Sequence, residues 1–180
     1  MVWVGVIIKM KLEIKIRKER AQDSSAVEQI NKAAFETAAE SKLVTSLRQQ
    51  ARPFISLVAQ SAGNIIGHIM FSPVTLGDES AVKIMGLAPM AVLPEHQRKG
   101  IGTELVRVGL DECRKQGFGA VVVLGHPDYY PRFGFVPAIG FGIGCEYDVP
   151  ENVFMAIELQ PGYLNNQQGK VKYHEAFESV

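Results

Sequence analysis

The sequence predicts a single mixed α/β domain, with a mostly antiparallel central sheet that ends in a parallel crossover and is flanked by helices. Three observations predict it. Two strand-like runs, 54–60 and 65–76, are joined by Ser61-Ala62-Gly63-Asn64, a hairpin signal that makes an antiparallel meander the natural result. The apolar segment Leu87–Pro94 then enters Gln97-Arg98-Lys99-Gly100-Ile101-Gly102, a helix-like stretch and the short apolar run Ala120–Leu124, which together make a strand, loop, helix and strand. At 180 residues and 47% apolar content, the chain is long enough for one sizeable core and short for two.

In chain order, Met1–Ile8 is apolar but far short of the ~20 residues that span a bilayer, and it lacks a basic leader and a small-residue cleavage site. No export and no membrane partner are expected, and the localisation expected is cytoplasmic. Residues 1–10 read as an N-terminal extension or an edge strand, with Met1 or Met10 as the start. Leu12–Ile16 alternates apolar and charged residues, as a half-buried first strand does. Asp23, Ser24 and Ser25 followed by Glu28 give N-cap candidates and a capping box for a helix from Ser25 to Ala38, with Val27, Ile30 and Ala34 on one face. A second helix is expected over Ser41–Gln50 and stops before Pro53, because the residue preceding proline avoids helical geometry.

After the hairpin, Ala81–Val92 is the next strand. Pro89 inside it lacks an N–H, so a bulge or an edge position is expected there. Gly100–Gln116 reads as a helix with Ile101, Leu105 and Val108 at core spacing and Gly117 as its stop. Ala120–Leu124 is apolar throughout, as a buried strand beside a parallel neighbour is. Val153–Leu159 supplies a further strand. The polar stretch 161–180 is expected to be a less regular tail that packs back on the domain, 11–160, through Tyr173 and Phe177.

Lys plus Arg and Asp plus Glu both number 19, so the formal charge is zero and a strongly basic nucleic-acid surface is not indicated. Cys113 and Cys145 are the two cysteines and form no Cys-x-x-Cys pair. A disulfide framework or zinc site is therefore not expected, and no metal is implied.

The loop 97–103 carries the most chemistry. Two glycines one residue apart let the backbone approach a ligand, and the first turn of a helix offers unpaired N–H donors at the positive end of its dipole. Such a site suits a diphosphate. Arg98 and Lys99 add positive charge and Thr103 a hydroxyl. A strand–turn–helix corner with a solvated basic turn is the bland alternative. A dinucleotide fingerprint would need a third glycine where Leu105 stands, and a Walker-type loop would need its lysine after the glycine, whereas Lys99 precedes Gly100.

Gln97-Arg98-Lys99-Gly100-Ile101-Gly102 resembles the Gln/Arg-x-x-Gly-x-Gly/Ala signature of the GNAT superfamily of N-acetyltransferases, and Tyr130-Pro131-Arg132-Phe133-Gly134-Phe135 resembles its Tyr-x-x-x-Gly-Phe. The resemblance covers about residues 12–160. Its nearest form is a group of bacterial acetyltransferases typified by YhbS, which shares the stretch Cys145-Glu146-Tyr147-Asp148-Val149-Pro150. The resemblance implies a sheet splayed between two parallel strands, with acetyl-CoA as co-substrate in the opening. By the same resemblance, backbone groups of Met90, Ala91 and Val92 bind the pantetheine arm, and Gln97, Arg98, Lys99, Gly100, Ile101, Gly102 and Thr103 hold the diphosphate. His126 stands where many relatives carry a CoA-contacting asparagine. Tyr130 stands at the thiol-facing tyrosine, and a backbone N–H near Val92 serves the oxyanion.

Acetyl transfer to an amine needs a neutral nucleophile, oxyanion donors and an acid for the departing thiolate. Tyr130 is the candidate acid, since a phenol is protonated at neutral pH; its alternative is a core tyrosine packed with Phe133 and Phe135. Tyr129, one residue off the spacing, is the competitor. No general base stands out, because Val121, Val122 and Val123 occupy the strand where peptide-acetylating relatives often carry a glutamate. A water relay, His126 or His68 is the candidate, and for each histidine a structural role is the alternative. Glu36 and Glu40 are candidates for attracting a cationic amine. The expectation is direct transfer of acetyl, or a longer acyl group, to a primary amine of a small molecule, peptide or protein, by a monomer or homodimer. The competing expectation is a non-catalytic CoA-binding or interaction domain of the same fold.

Overall fold

A computed structural model describes residues 13–77 and 79–179. The extension or edge strand expected at 1–10 lies outside the described residues. The strands are β1 (Lys15–Lys18), β2 (Ile55–Ser61), β3 (Asn64–Leu76), β4 (Glu79–Val92), β5 (Ala120–Leu124), β6 (Val136–Pro137), β7 (Ile143–Cys145), β8 (Phe154–Glu158) and β9 (Gly169–Lys172). The helices are α1 (Ser24–Ala34), α2 (Ala39–Gln50) and α3 (Ile101–Lys115). The sheet runs β1-β2-β3-β4-β5-β8-β6, with β9 paired to both β3 and β7.

The meander from β1 to β4 is antiparallel throughout. Its β2–β3 turn has positive φ at Ala62 (46°) and Gly63 (85°), as a type I′ turn requires at both central residues. On β4, Met90 faces Ile69 and Leu87 faces Phe71, so Ala88 and Pro89 together oppose the single residue Met70. This is the bulge expected from Pro89.

The bulge marks where the sheet opens. β4 and β5 pair in parallel only from Ile84 with Ala120 to Gly86 with Val122. Beyond that, β5 keeps its antiparallel partner β8 as far as Leu124 with Phe154, and β4 diverges from it. One edge of each strand is thereby left facing a cleft.

Helix α3 covers one face of the sheet. Ile101, Leu105, Val106 and Cys113 bury against Leu57, Ile69 and Phe71, and burial pushes the Cys113 thiol up to about 12. Helices α1 and α2 cover the other face through Val27, Leu43, Val44 and Leu47 against Val58 and Met70. Burying apolar side chains of this size contributes roughly 1.5–3 kcal/mol each.

Several local expectations differ from the structure. α1 stops at Ala34, because Phe35 is extended (φ −119°, ψ 153°), and the interval 35–38 leads into α2. Asp23 does not cap α1 with its side chain. Its carboxylate accepts from the Arg17 guanidinium (2.6 and 2.9 Å) and from the Arg20 N–H (2.7 Å). Glu28 pairs with Lys32 in place of a capping box. β1 begins at Lys15, later than Leu12, which is outside the described residues, and it continues through Arg17, held by Asp23 and Gln60. The tail carries a strand, β9, that joins β3 through Thr75 with Lys172 and Leu76 with Val171.

Candidate active site

The opening between β4 and β5 leads into a cleft of about 1310 Å³. Its walls are the bulged end of β4, the loop before α3, the end of β5 with the short 3-10 helix Tyr130–Phe133, and Phe35, Glu40, Leu43 and Phe177 on the side away from the loop.

The loop is shaped by left-handed backbone at Arg98 (φ 58°) and Gly100 (φ 84°). Gly100 ends it as the residue before α3, and the first intrahelical bond runs from the Glu104 N–H to the Gly100 carbonyl (3.1 Å). The N–H groups of Ile101, Gly102 and Thr103 therefore have no partner within the helix. Gln97 Nε2 ties the loop to β4 by donating to the Val92 carbonyl (3.0 Å). Lys99 is turned aside, donating to the Glu95 carbonyl (2.6 Å), and is not part of the cleft wall, whereas Arg98 is.

Strand geometry sorts the three β4 residues. The Leu93 N–H bonds to Ile66 on β3 (3.0 Å), so by alternation the polar groups of Ala91 also face β3, and those of Met90 and Val92 face the opening. Met90 and Val92 accordingly line the cleft, and Ala91 is 3% exposed and outside its lining. With the Val92 carbonyl occupied by Gln97, the Val92 N–H remains as a donor aimed into the cleft.

Both tyrosines line the cleft, at different places. The Tyr129 hydroxyl reaches the loop: a Cβ on Gly102 would stand 2.8 Å from it, and it hydrogen-bonds with the Thr103 side chain. Burial raises the Tyr129 phenol above its ordinary value, opposed by that hydrogen bond and by Arg132. The Arg132 guanidinium stacks on the Tyr129 ring, 4.5 Å from its centroid, and donates to the carbonyls of Tyr129 (2.8 Å) and Asp128 (3.2 Å).

Tyr130 is 7% exposed and lies against the end of β5, where a Cβ on Gly125 would come within 2.1 Å of its ring. Tyr129 and Phe135 meet it edge-on at 5.1 and 5.6 Å. Among the described residues, none takes its hydroxyl proton. Burial, and secondarily Tyr129, pushes its phenol well above the usual value. The proton is thus held throughout the neutral range.

His126 is exposed at the end of β5 and lines the cleft, and its carbonyl accepts from the Tyr129 N–H (3.0 Å). His68 does not reach the cleft. It is 0% exposed, with Nε2 against Ser56 Oγ (2.9 Å) and Nδ1 against Asn31 (3.3 Å), and burial followed by Arg48 lowers it to about 3. The structural alternative holds for His68. Glu40 is half-buried in the cleft wall, and Glu36 is exposed outside it. Cys145 lies outside the cleft, with its thiol raised by burial.

Sequence reasoning did not assign Arg132, Phe177 or His96 to the site, yet all three line the cleft. Arg132 sits inside the tyrosine–glycine–phenylalanine signature, where its cationic charge next to Tyr129 was the available signal. His96 immediately precedes the loop, and its Nδ1 is buried without a hydrogen-bond partner in the structure. Among the described residues, no three His, Cys, Asp or Glu side chains are grouped to hold a metal, and no helix is long and apolar enough to cross a membrane.

Comparison with known proteins places this arrangement. Residues 24–135 match the family model described as Acetyltransferase (GNAT) family. The chain is 37% identical over 163 residues to the uncharacterized N-acetyltransferase YhbS of Escherichia coli, covering 90% of this chain and 97% of that protein. It is 41% identical over 133 residues to YjhQ of the same organism, covering 72% and 74%. A crystal structure of Escherichia coli YhbS in complex with CoA superposes with a TM-score of 0.88 at 36% identity, covering 93% of each chain. A GNAT family acetyltransferase from Brucella melitensis in complex with acetyl-CoA gives 0.75 at 36% identity, covering 92% of this chain and 98% of the other. With its splayed mixed sheet, its glycine loop and these matches, the chain belongs to the acetyltransferase (GNAT) family.

Proposed function

We propose that this protein binds acetyl-CoA with its diphosphate on the loop from Gln97 to Thr103 and transfers the acetyl group directly to a primary amine. The observation that carries the reading is the coincidence of three features in one cleft: free helix N-terminal N–H groups, an outward Val92 N–H and the buried protonated Tyr130. The relatives solved with CoA and acetyl-CoA, each 36% identical across more than nine-tenths of this chain, support the same co-substrate.

The fit to a diphosphate rests on the cradle itself. Ile101, Gly102 and Thr103 offer N–H donors, Arg98 adds charge, and the missing Cβ of Gly102 makes room for the Tyr129 hydroxyl beside those donors. Met90 and Val92 present backbone groups along the parted edge of β4, where an extended pantetheine arm adds like a strand. Arg132, stacked on Tyr129, stands at the loop end of the cleft, and this favours Tyr129 for the phosphates and leaves Tyr130 for the sulfur.

In the reaction, the neutral amine's lone pair forms a bond to the thioester carbon, and the carbon–sulfur bond breaks. The Val92 N–H donates to the carbonyl oxygen as negative charge develops on it. Tyr130 donates its phenolic proton to the departing sulfur, and the proton lost by the amine nitrogen returns through water. His126, exposed at that end of β5 and part of the cleft wall, is our candidate for relaying it. β5 itself supplies no base, since Val121, Val122 and Val123 are all buried and apolar. Both thiols are raised by burial and lie outside the cleft, which supports direct attack over an acetyl-cysteine route. Two free cysteines fit a cytoplasmic setting.

Replacing Tyr130 with Phe tests the assignment. Loss of a general acid lowers kcat by about 10²–10⁴-fold, with the acetyl-CoA dissociation constant nearly unchanged. An unchanged kcat removes Tyr130 from the chemistry.

A further inference from the structure

The cleft is chemically divided, and its two ends suit different ligands. Arg98, Arg132 and the α3 N-terminus make the loop end cationic. The opposite end is built from Phe35 at the close of α1, Leu43 on α2 and Phe177 from the tail, which packs on the same cluster as Leu43, and Glu40 belongs to the same wall. Glu40 stands in the first turn of α2, half-buried, with Thr37 Oγ1 at 3.4 Å. Among the described residues, no cationic side chain pairs with it. A half-buried carboxylate in a cleft wall with two phenylalanines and a leucine is without the counter-charge that such a place favours.

We propose that the acceptor is a primary amine carried on one compact apolar body, of the arylalkylamine kind, with its ammonium received by Glu40 and its body lying against Phe35, Leu43 and Phe177. This inference rests on the acetyltransferase reading of the same cleft and names the substrate class for it. Among the described residues, the one other carboxylate in the wall is Asp128, which is exposed and lies beside Tyr129. A polyamine or an aminoglycoside, with several cationic groups, would leave most of its charges against apolar wall. A single ammonium on an apolar body leaves none. Glu40 orients the ammonium form for capture and releases the amine once its proton has gone to water, so the nitrogen lone pair is free to attack the thioester carbon.

The chemistry is shared by a free amine and by the apolar first residue of a peptide, and the assay separates them. Thiol release from acetyl-CoA is followed with phenethylamine, ethylamine, spermidine, an aminoglycoside and a peptide beginning with phenylalanine, alongside titration of acetyl-CoA itself. The expected result is a kcat/KM for phenethylamine at least tenfold above ethylamine, spermidine and the aminoglycoside. Equal or better use of the peptide identifies the peptide N-terminus as the source of the same chemistry. E40Q is expected to raise KM for phenethylamine about tenfold with kcat within a factor of about three, because it removes the charge and keeps the shape. F177A is expected to raise KM for phenethylamine and leave that for ethylamine unchanged, a contrast that a general folding defect would not produce. Preferred turnover of the polycations, or an E40Q KM equal to that of the parent, overturns the inference and leaves the transferase reading standing. Acetyl-CoA binding with no thiol release from any amine overturns both.

Discussion

Substituting Gly102 with alanine separates the cofactor cradle from the fold. The added Cβ would stand 2.8 Å from the Tyr129 hydroxyl and 3.6 Å from the Met90 methyl, both at the far ends of side chains that can shift. Gly102 is in the first turn of α3, where alanine improves helix propensity by up to about 1 kcal/mol. Folding stability should therefore hold or rise. The same methyl displaces the Tyr129 hydroxyl from the loop and so removes a hydrogen-bonding group from beside the Gly102 and Thr103 N–H groups where the diphosphate is proposed to sit. Loss of one charge-assisted hydrogen bond is worth about 1.5–3 kcal/mol, so the dissociation constant for acetyl-CoA should rise about 10- to 150-fold. Calorimetric titration measures it, with thermal unfolding of the same sample as the control. An unaltered dissociation constant in a folded variant would refute the cradle, and a large drop in melting temperature would refute the claim that fold and cradle separate here.

Two further outcomes test the packing and the buried polar groups. Gly109→Ala should destabilise by about 1–3 kcal/mol despite better helix propensity, because its Cβ would come within 2.4 Å of the fully buried Phe71 ring and force α3 off the sheet; denaturant unfolding with no loss of stability would contradict that packing. Stability should also fall on acidification. His68 titrates near 6.5 when unfolded and near 3 when folded, so its contribution is complete above about pH 6.5 and is lost as pH falls toward 3. The expected loss between about pH 7 and about pH 5 is roughly 2 kcal/mol. Glu19 lies 3.9 Å from His68 but is already compensated by Arg48 and Ser56, so it does not cancel this trend. Asp23, held near 2 by Arg17, adds its own loss only below about pH 4, and stability flat across the upper window would remove His68 from the account.

What the sequence disclosed, it disclosed through local rules. Ala62 and Gly63 announce their turn because the required backbone is a property of two adjacent residues. Pro89 announces a bulge because a missing N–H has to be accommodated wherever the strand pairs. The loop is legible because its glycines, its cations and its helix start are contiguous. Features that depend on distant partners were not legible. His68 finds Asn31 and Ser56, 37 and 12 residues away in sequence, and nothing in its neighbours indicates that it points under α1. Asp23 resembles a helix cap until Arg17 is placed beside it. β9 exists because Val171 meets Leu76 across the sheet. The signature also gives spacing without side: Ala91 turns its backbone to β3 and Lys99 folds back on Glu95, although both belong to the expected set. Phe177 was expected to pack on the domain, and only the path of the tail shows that it also walls the cleft.

The central claim is that one cleft binds acetyl-CoA and passes its acetyl group to an amine. Parallel measurement of free thiol and of N-acetylated amine, with acetyl-CoA and a panel of primary amines, tests it most directly. One thiol released per amide formed, abolished together by omission of the amine, is the predicted result. Saturable acetyl-CoA binding with neither thiol nor amide formed from any amine would contradict the claim and identify a binding domain built on the same fold.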